Sequence, residues 1–136
     1  MSYTFEDFED GDTIKKALAK ARITNTRHLL EKCATPKGRS EIAKVTGLDV
    51  ETLLKLVRGA DLLRVKHVGP ESMRLLQAAG VETVKALQKQ DPAVLTTKLA
   101  STNGNHKRQI VERLPNQKAV TAWIEGARSM PIVVFC

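Results

Sequence analysis

Aromatic side chains are nearly missing from this sequence: among 136 residues there are one Trp, one Tyr and three Phe. A core must then be built from Leu, Val, Ile and Ala, a composition that suits packed helices. Cysteine is as scarce, with Cys33 and Cys136 the two present. They form neither a disulfide framework nor a metal-binding spacing, so a reduced, cytoplasmic protein is the expectation. No apolar run approaches the ~20 residues that a membrane span needs. The start, Met1-Ser2-Tyr3-Thr4-Phe5-Glu6-Asp7, lacks the basic and apolar regions of a signal peptide. Missing too are a phosphate-binding P-loop, a dinucleotide fingerprint and a nucleophile elbow. His28, His67 and His106 have no nearby carboxylate or cysteine partners of the kind zinc requires. The acidic run from Glu6 to Asp12 does not fit the spaced ligands and closing glutamate of an EF-hand loop. These absences predict no catalytic group, no metal, no cofactor and no membrane partner.

What the chain does have is positive charge, unevenly placed. The 22 Lys and Arg exceed the 15 Asp and Glu, for a net charge of +7. Glu6, Asp7, Glu9, Asp10 and Asp12 fall in the first twelve residues, which hold no base, so the remaining chain carries +12. A basic body of this kind suits a polyanion such as DNA or RNA. The densest cluster is Asn105-His106-Lys107-Arg108, where Lys107 and Arg108 are candidates for a backbone contact. The other basic residues, Arg39 and Lys98 among them, are spread over many helix faces and read as solvated surface.

Apolar residues recur at three and four positions far more than at two, so the chain reads as all-helical. Helices are expected at about 12–21, 26–33, 38–45, 50–61, 71–79, 82–89, 92–100, 105–113 and 116–129. Polar turns separate them at Thr24-Asn25, Thr46-Gly47, Thr102-Asn103-Gly104 and Pro115-Asn116, with Asp49 and Asn116 as N-caps. An internal repeat is visible at an offset of 58 residues. It pairs Gly11 with Gly69, Leu18 with Leu76, Ala21 with Ala79, Ile23 with Val81 and Leu29 with Leu87. The expected organisation is an acidic arm over 1–10, a first repeat over 11–61, a second over 62–130 and an apolar tail over 131–136.

The most informative stretch runs from Leu63 to Val81. It reads as the end of one helix, a hairpin of about four residues, and a second helix. Gly69 supplies conformational freedom in the turn, Pro70 opens the second helix, and Gly80 closes it after Met73, Leu76 and Ala79. This pattern resembles the helix-hairpin-helix motif, with His67 at the usual first hairpin glycine and Met73 at a usual small residue. The resemblance implies that hairpin amides and the second helix's N-terminus hold nucleic-acid phosphate without reading sequence. On that reading Val68, Gly69 and Glu71 offer amides, Lys66 and His67 flank them, and Arg74 reaches from the first turn. In the first copy Arg22 replaces the capping glycine and Asp10-Gly11-Asp12 replaces the basic-flanked turn. Carboxylates there occupy the place a phosphate wants, so the first hairpin is expected to be structural.

Over residues 8–130 the chain is similar to a small bacterial and archaeal family of tandem helix-hairpin-helix proteins known as a domain of unknown function. The segments that carry this are Ala34-Thr35-Pro36-Lys37-Gly38-Arg39, the run from Ala60 to Lys66, the run from Ala79 to Val84, Leu114-Pro115 and Trp123-Ile124. Such proteins have been likened to the helix-hairpin-helix part of flap-type 5′ nucleases, a likeness that implies nucleic-acid contact and no nuclease.

A second DNA-binding pattern lies over Ser40 to Leu56. Ala43, Gly47 and Leu53 sit where a helix-turn-helix wants a small residue, a turn glycine and a core contact. Val50, Glu51, Thr52 and Lys55 would then face a groove, although Glu51 opposes phosphate and favours a plain helical corner. The tail Met130 to Cys136 follows a helix-ending Pro131 with an apolar run that must dock, on its own domain or on a second copy, where Cys136 would allow cross-linking. The combined expectation is an all-α protein of two fused helix-hairpin-helix (SAM-like) repeats. It binds nucleic acid, DNA more readily than RNA, without catalysis, and a homodimer through the tail is allowed. The alternative is a protein-interaction module whose hairpins only join helices.

Overall fold

Each apolar stripe in the sequence needs a partner to hide it from water. The computed structural model, which describes residues 3–6, 8, 10–105 and 109–135, meets that need with helices alone. Among the described residues there are eight α-helices and no strand: α1 (Gly11–Ala19), α2 (Thr26–Cys33), α3 (Pro36–Thr46), α4 (Val50–Leu62), α5 (Pro70–Ala78), α6 (Val84–Gln88), α7 (Pro92–Asn105) and α8 (Gln117–Arg128). The chain forms two units, one of residues up to Asp61 together with the segment from Ile132 onward, the other of Leu62–Pro131.

In the first unit α1 and α2 both pack on α3. Ile14, Leu18, Leu29, Cys33, Leu53, Leu56 and Val57 are buried. The acidic start is part of this unit, not a free arm, as far as the described residues show. Phe5 and Phe8 are buried and meet edge to face at 5.4 Å between ring centroids. Tyr3 N–H donates to Thr26 Oγ1 at 3.0 Å, and Thr26 N–H donates to Tyr3 O at 2.9 Å. The buried Phe5 and Phe8 decide where this stretch goes, while the Glu6 and Asp10 carboxylates stay at the surface.

In the second unit α5 packs on α7, and α6 and α7 pack on α8. The core is Met73, Leu75, Leu76, Val84, Leu87, Leu95, Leu99, Val120, Trp123 and Ile124. Gln88 ties α6 to the end of α8 by donating Nε2–H to Ala127 O at 2.8 Å. The helix expected over 105–113 is corrected here. α7 runs through the expected turn Thr102-Asn103-Gly104 to Asn105, and residues 109–113 are not helical. Asn103 is the cause. Its buried Oδ1 accepts from Ile110 N–H at 2.7 Å and Val111 N–H at 3.0 Å, and its Nδ2 donates to Val111 O at 3.1 Å. One side chain thus satisfies three backbone groups that a helix would otherwise pair.

Backbone features recur between the units at the 58-residue offset. Ile23 N–H donates to Leu18 O at 3.1 Å, and Val81 N–H donates to Leu76 O at 2.9 Å. These are the long closing bonds of a Schellman helix end. The left-handed residue each needs is Arg22 (φ 61) in one unit and Gly80 (φ 89) in the other. Asn25 caps α2 through His28 N–H, and Thr83 caps α6 through Ala86 N–H.

Candidate nucleic-acid interface

A helix start has N–H groups with no acceptor inside the helix, and most proteins cover them with a side chain. Six of the eight helices here do so. The caps are Asn25, Thr35, Asp49, Thr83, Asp91 and Asn116, each accepting from the N–H three residues on. The two exceptions are α1, preceded by Asp10, and α5, preceded by Gly69. At the 58-residue offset these two starts fall within one residue of each other.

At α5 the chain leaves α4, turns through Val65 to Gly69, and enters at Pro70. Val65 N–H donates to Leu62 O at 3.0 Å and Val68 N–H donates to Val65 O at 3.1 Å. Val65 and Val68 are buried and anchor the loop from beneath. This corrects two expectations. The amide of Val68 is already donated, so Val68 shapes the hairpin and offers no N–H. The unusual backbone belongs to His67 (φ 71), while Gly69 is extended (φ −96, ψ −178). A non-glycine residue in the left-handed region costs about 1–2 kcal/mol, which the anchored loop must absorb.

Gly69 is therefore not demanded by the turn, nor by space: a Cβ placed there meets nothing within 4 Å. What its missing side chain leaves is open room in front of α5. Glu71 and Ser72 follow at the second and third helical positions, whose N–H groups lack intrahelical acceptors. Lys66 and His67 are exposed beside this opening, and the Glu71 carboxylate is exposed too. Arg74 is half-buried, and its Nε is buried with no hydrogen-bond partner. Helical side chains lean toward the helix N-terminus, so a basic residue at this position favours the turn that opens α5.

A family model described as a domain of unknown function, DUF4332, matches residues 11–130. The chain belongs to this family. Neither curated proteins nor solved structures gave a match.

The other candidates of this DUF4332 chain fall elsewhere. Lys107 and Arg108 lie outside the described residues. In the helix-turn-helix pattern, Gly47 is left-handed (φ 78), Leu53 is buried, and Val50, Glu51 and Lys55 are exposed on α4. Among the described residues no three His, Cys, Asp or Glu side chains gather where they could hold a metal ion, and no helix is long and apolar enough to cross a membrane. Burial pushes the Cys33 thiol up to about 11, so it is a packed, inert side chain. Arg39, expected at the surface, is 4 % exposed. It donates to Cys33 O at 2.9 Å and Phe135 O at 2.6 Å. Cys33 is the last residue of α2, so a buried cation there meets the negative end of a helix. No spacing in the sequence marked it, because the segment that covers it comes from about a hundred residues away.

Proposed function

We propose that this protein binds nucleic-acid backbone without sequence preference through the hairpin before α5. The observation that carries this reading is the open, cap-free start of α5, with Lys66 and His67 exposed beside it and an unpartnered Nε on Arg74. Unsatisfied N–H groups, the positive end of the helix and nearby cations together favour a phosphate. The resemblance of this segment to the helix-hairpin-helix motif supports the same ligand. Gly69 contributes room, the Glu71 and Ser72 amides donate, Lys66 adds charge, His67 offers its ring, and the half-buried Arg74 adds its guanidinium charge from beneath the turn. Such contacts are made to phosphate, so they do not select bases. The ligand is DNA more readily than RNA, in the cytoplasm, and the site performs no catalysis.

Fluorescence anisotropy with labelled single-stranded, duplex and forked DNA across a salt series tests this directly. Log K should fall linearly with log salt, by roughly 0.9 per duplex phosphate contact. Gly69→Asp is the deciding variant. It supplies the missing cap, which relative to glycine adds roughly a few tenths of a kcal/mol, while placing a carboxylate where the phosphate belongs. A chain that melts higher and binds at least tenfold more weakly fits the proposal. Glu71→Gln, which removes the first-turn carboxylate, should tighten binding. If Gly69→Asp binds as well as the parent, α5 is not the site, and the reading of the hairpins as mere connectors takes its place.

A further inference from the structure

The segment 132–135 follows the second unit in sequence but folds as part of the first. It leaves α8 through the short link Ser129 to Pro131 and belongs with residues up to Asp61. Two bonds to its main chain fix it. Phe135 N–H donates to Ala34 O at 2.8 Å, and Arg39 Nη2 donates to Phe135 O at 2.6 Å. The receiving corner is rigid: Arg39 is buried, its Nη1 is held on Cys33 O, and Thr35 caps α3 next to it. The segment it receives is held more lightly. Ile132 and Phe135 stay 57 % and 52 % exposed, so little apolar burial supports the docking. A pre-formed corner that grips backbone, and a tethered segment whose Ile132 and Phe135 lie largely in water while Val133 and Val134 are half-buried, are two parts that can separate.

We propose that this segment exchanges between copies, the corner from Ala34 to Arg39 of one chain taking residues 132–135 of a second chain. The same segment is the natural occupant because the bonds are identical whether it comes from its own chain or another. Exchange then creates no unpaired group and loses no contact, and its main cost is association itself. The link favours it. Pro131 is fixed in φ and donates no hydrogen bond, so nothing in the backbone at that residue holds the segment to α8. Exposed Ile132 and Phe135 supply a gain, because an extended apolar segment in water seeks cover from a second chain. Reciprocal exchange closes the pair, giving a dimer and not a filament.

The test uses full-length chains carrying Cys136→Ser, with the buried, inert Cys33 left in place. One chain carries Ala34→Cys, a second carries Phe135→Cys, and a third carries both. The first two are mixed at high concentration, incubated, oxidised and mapped by mass spectrometry. Exchange predicts a disulfide joining positions 34 and 135 of different chains, rising with concentration, with a doubled mass by light scattering in the unsubstituted protein. Deleting 132–136 should abolish that doubling. The third chain, when dilute, should close within itself, which verifies the docking. If it closes within itself at every concentration and the mixture gives no joined pair, the segment is a fixed strap and the proposal fails. It fails equally if the third chain never closes, or if the mixture joins only through Cys33.

Discussion

The starts of α1 and α5 lie close in register at the 58-residue offset and both lack a side-chain cap, yet their surroundings are opposite. Gly11 is pressed against the chain before it: a Cβ there would lie 2.3 Å from Phe5 O and 2.9 Å from Glu6 O. Its N–H is donated to Phe8 O at 3.0 Å. Around it stand Asp10, Asp12 and Glu6, the last paired with Lys15 at 2.9 Å, and that lysine holds the Glu6 carboxyl below its ordinary value. At α5 a Cβ added to the equivalent glycine would meet nothing within 4 Å, and Lys66 and His67 precede it in the hairpin. One glycine exists because protein fills the space; the other leaves space unfilled. For the open glycine, the proposed function supplies a reason that packing does not: access for a ligand.

The comparison breaks most visibly with a single methyl group at each site. Gly11→Ala must push backbone aside and should destabilise the chain by about 1–3 kcal/mol, the usual range for overpacking. Gly69→Ala is free of clash and of left-handed strain, so its stability should stay within about 1 kcal/mol, or rise as the unfolded chain loses freedom. Urea unfolding of the two variants reads this directly. Equal losses at both positions would mean that Gly69 is structural after all, and the case for an open site would lose its main support.

His67→Gly sharpens the same contrast from the other side of the loop. Removing the side chain relieves the left-handed strain at φ 71, so the midpoint of unfolding should move up by the equivalent of about 1 kcal/mol. Under the proposed function this stabler chain should bind nucleic acid more weakly, because a ring N–H beside the phosphate is lost. A variant that is stabler and binds equally well would leave His67 as a conformational compromise with no role in binding.

The helices were legible because their signals are local. Asp49 and Asn116 stand just before apolar periodicity, and each proves to cap its helix; Asn25, read as a turn residue, and Thr83, read as helical, turn out to cap α2 and α6. Gly80 announced the end of α5 for the same reason. What sequence could not announce depends on distant partners. Asn103 reads as a turn residue, yet its amide serves Ile110 and Val111 from inside α7. Arg39 reads as surface until Phe135 arrives to cover it. In the hairpin, the residue types were readable but their division of labour was not. Whether Gly69 or His67 takes the left-handed turn depends on how Val65 and Val68 are buried beneath the loop.

The smallest effect concerns a capped start, which the open ones should lack. Asp49 is held below its ordinary carboxylate value first by the Thr52 N–H it accepts and then by the Thr52 hydroxyl. A carboxyl lowered in the folded state stabilises fully above its unfolded value, about 3.9. That contribution fades as pH falls through this value and is gone below the lowered one. Stability measured from pH 5 to pH 2.5 should therefore contain a small acid-dependent loss that Asp49→Asn removes, since asparagine caps equally well and does not titrate. No such cap bond exists at α5, where Gly69 has no side chain and Glu71 is the first-turn carboxylate in the parent and in the Gly69→Asp variant alike. Gly69→Asp should create it: an acid-dependent loss in that variant alone would show that a carboxylate has entered the open N-terminus, whereas an unchanged pH profile would mean that those amides are already satisfied.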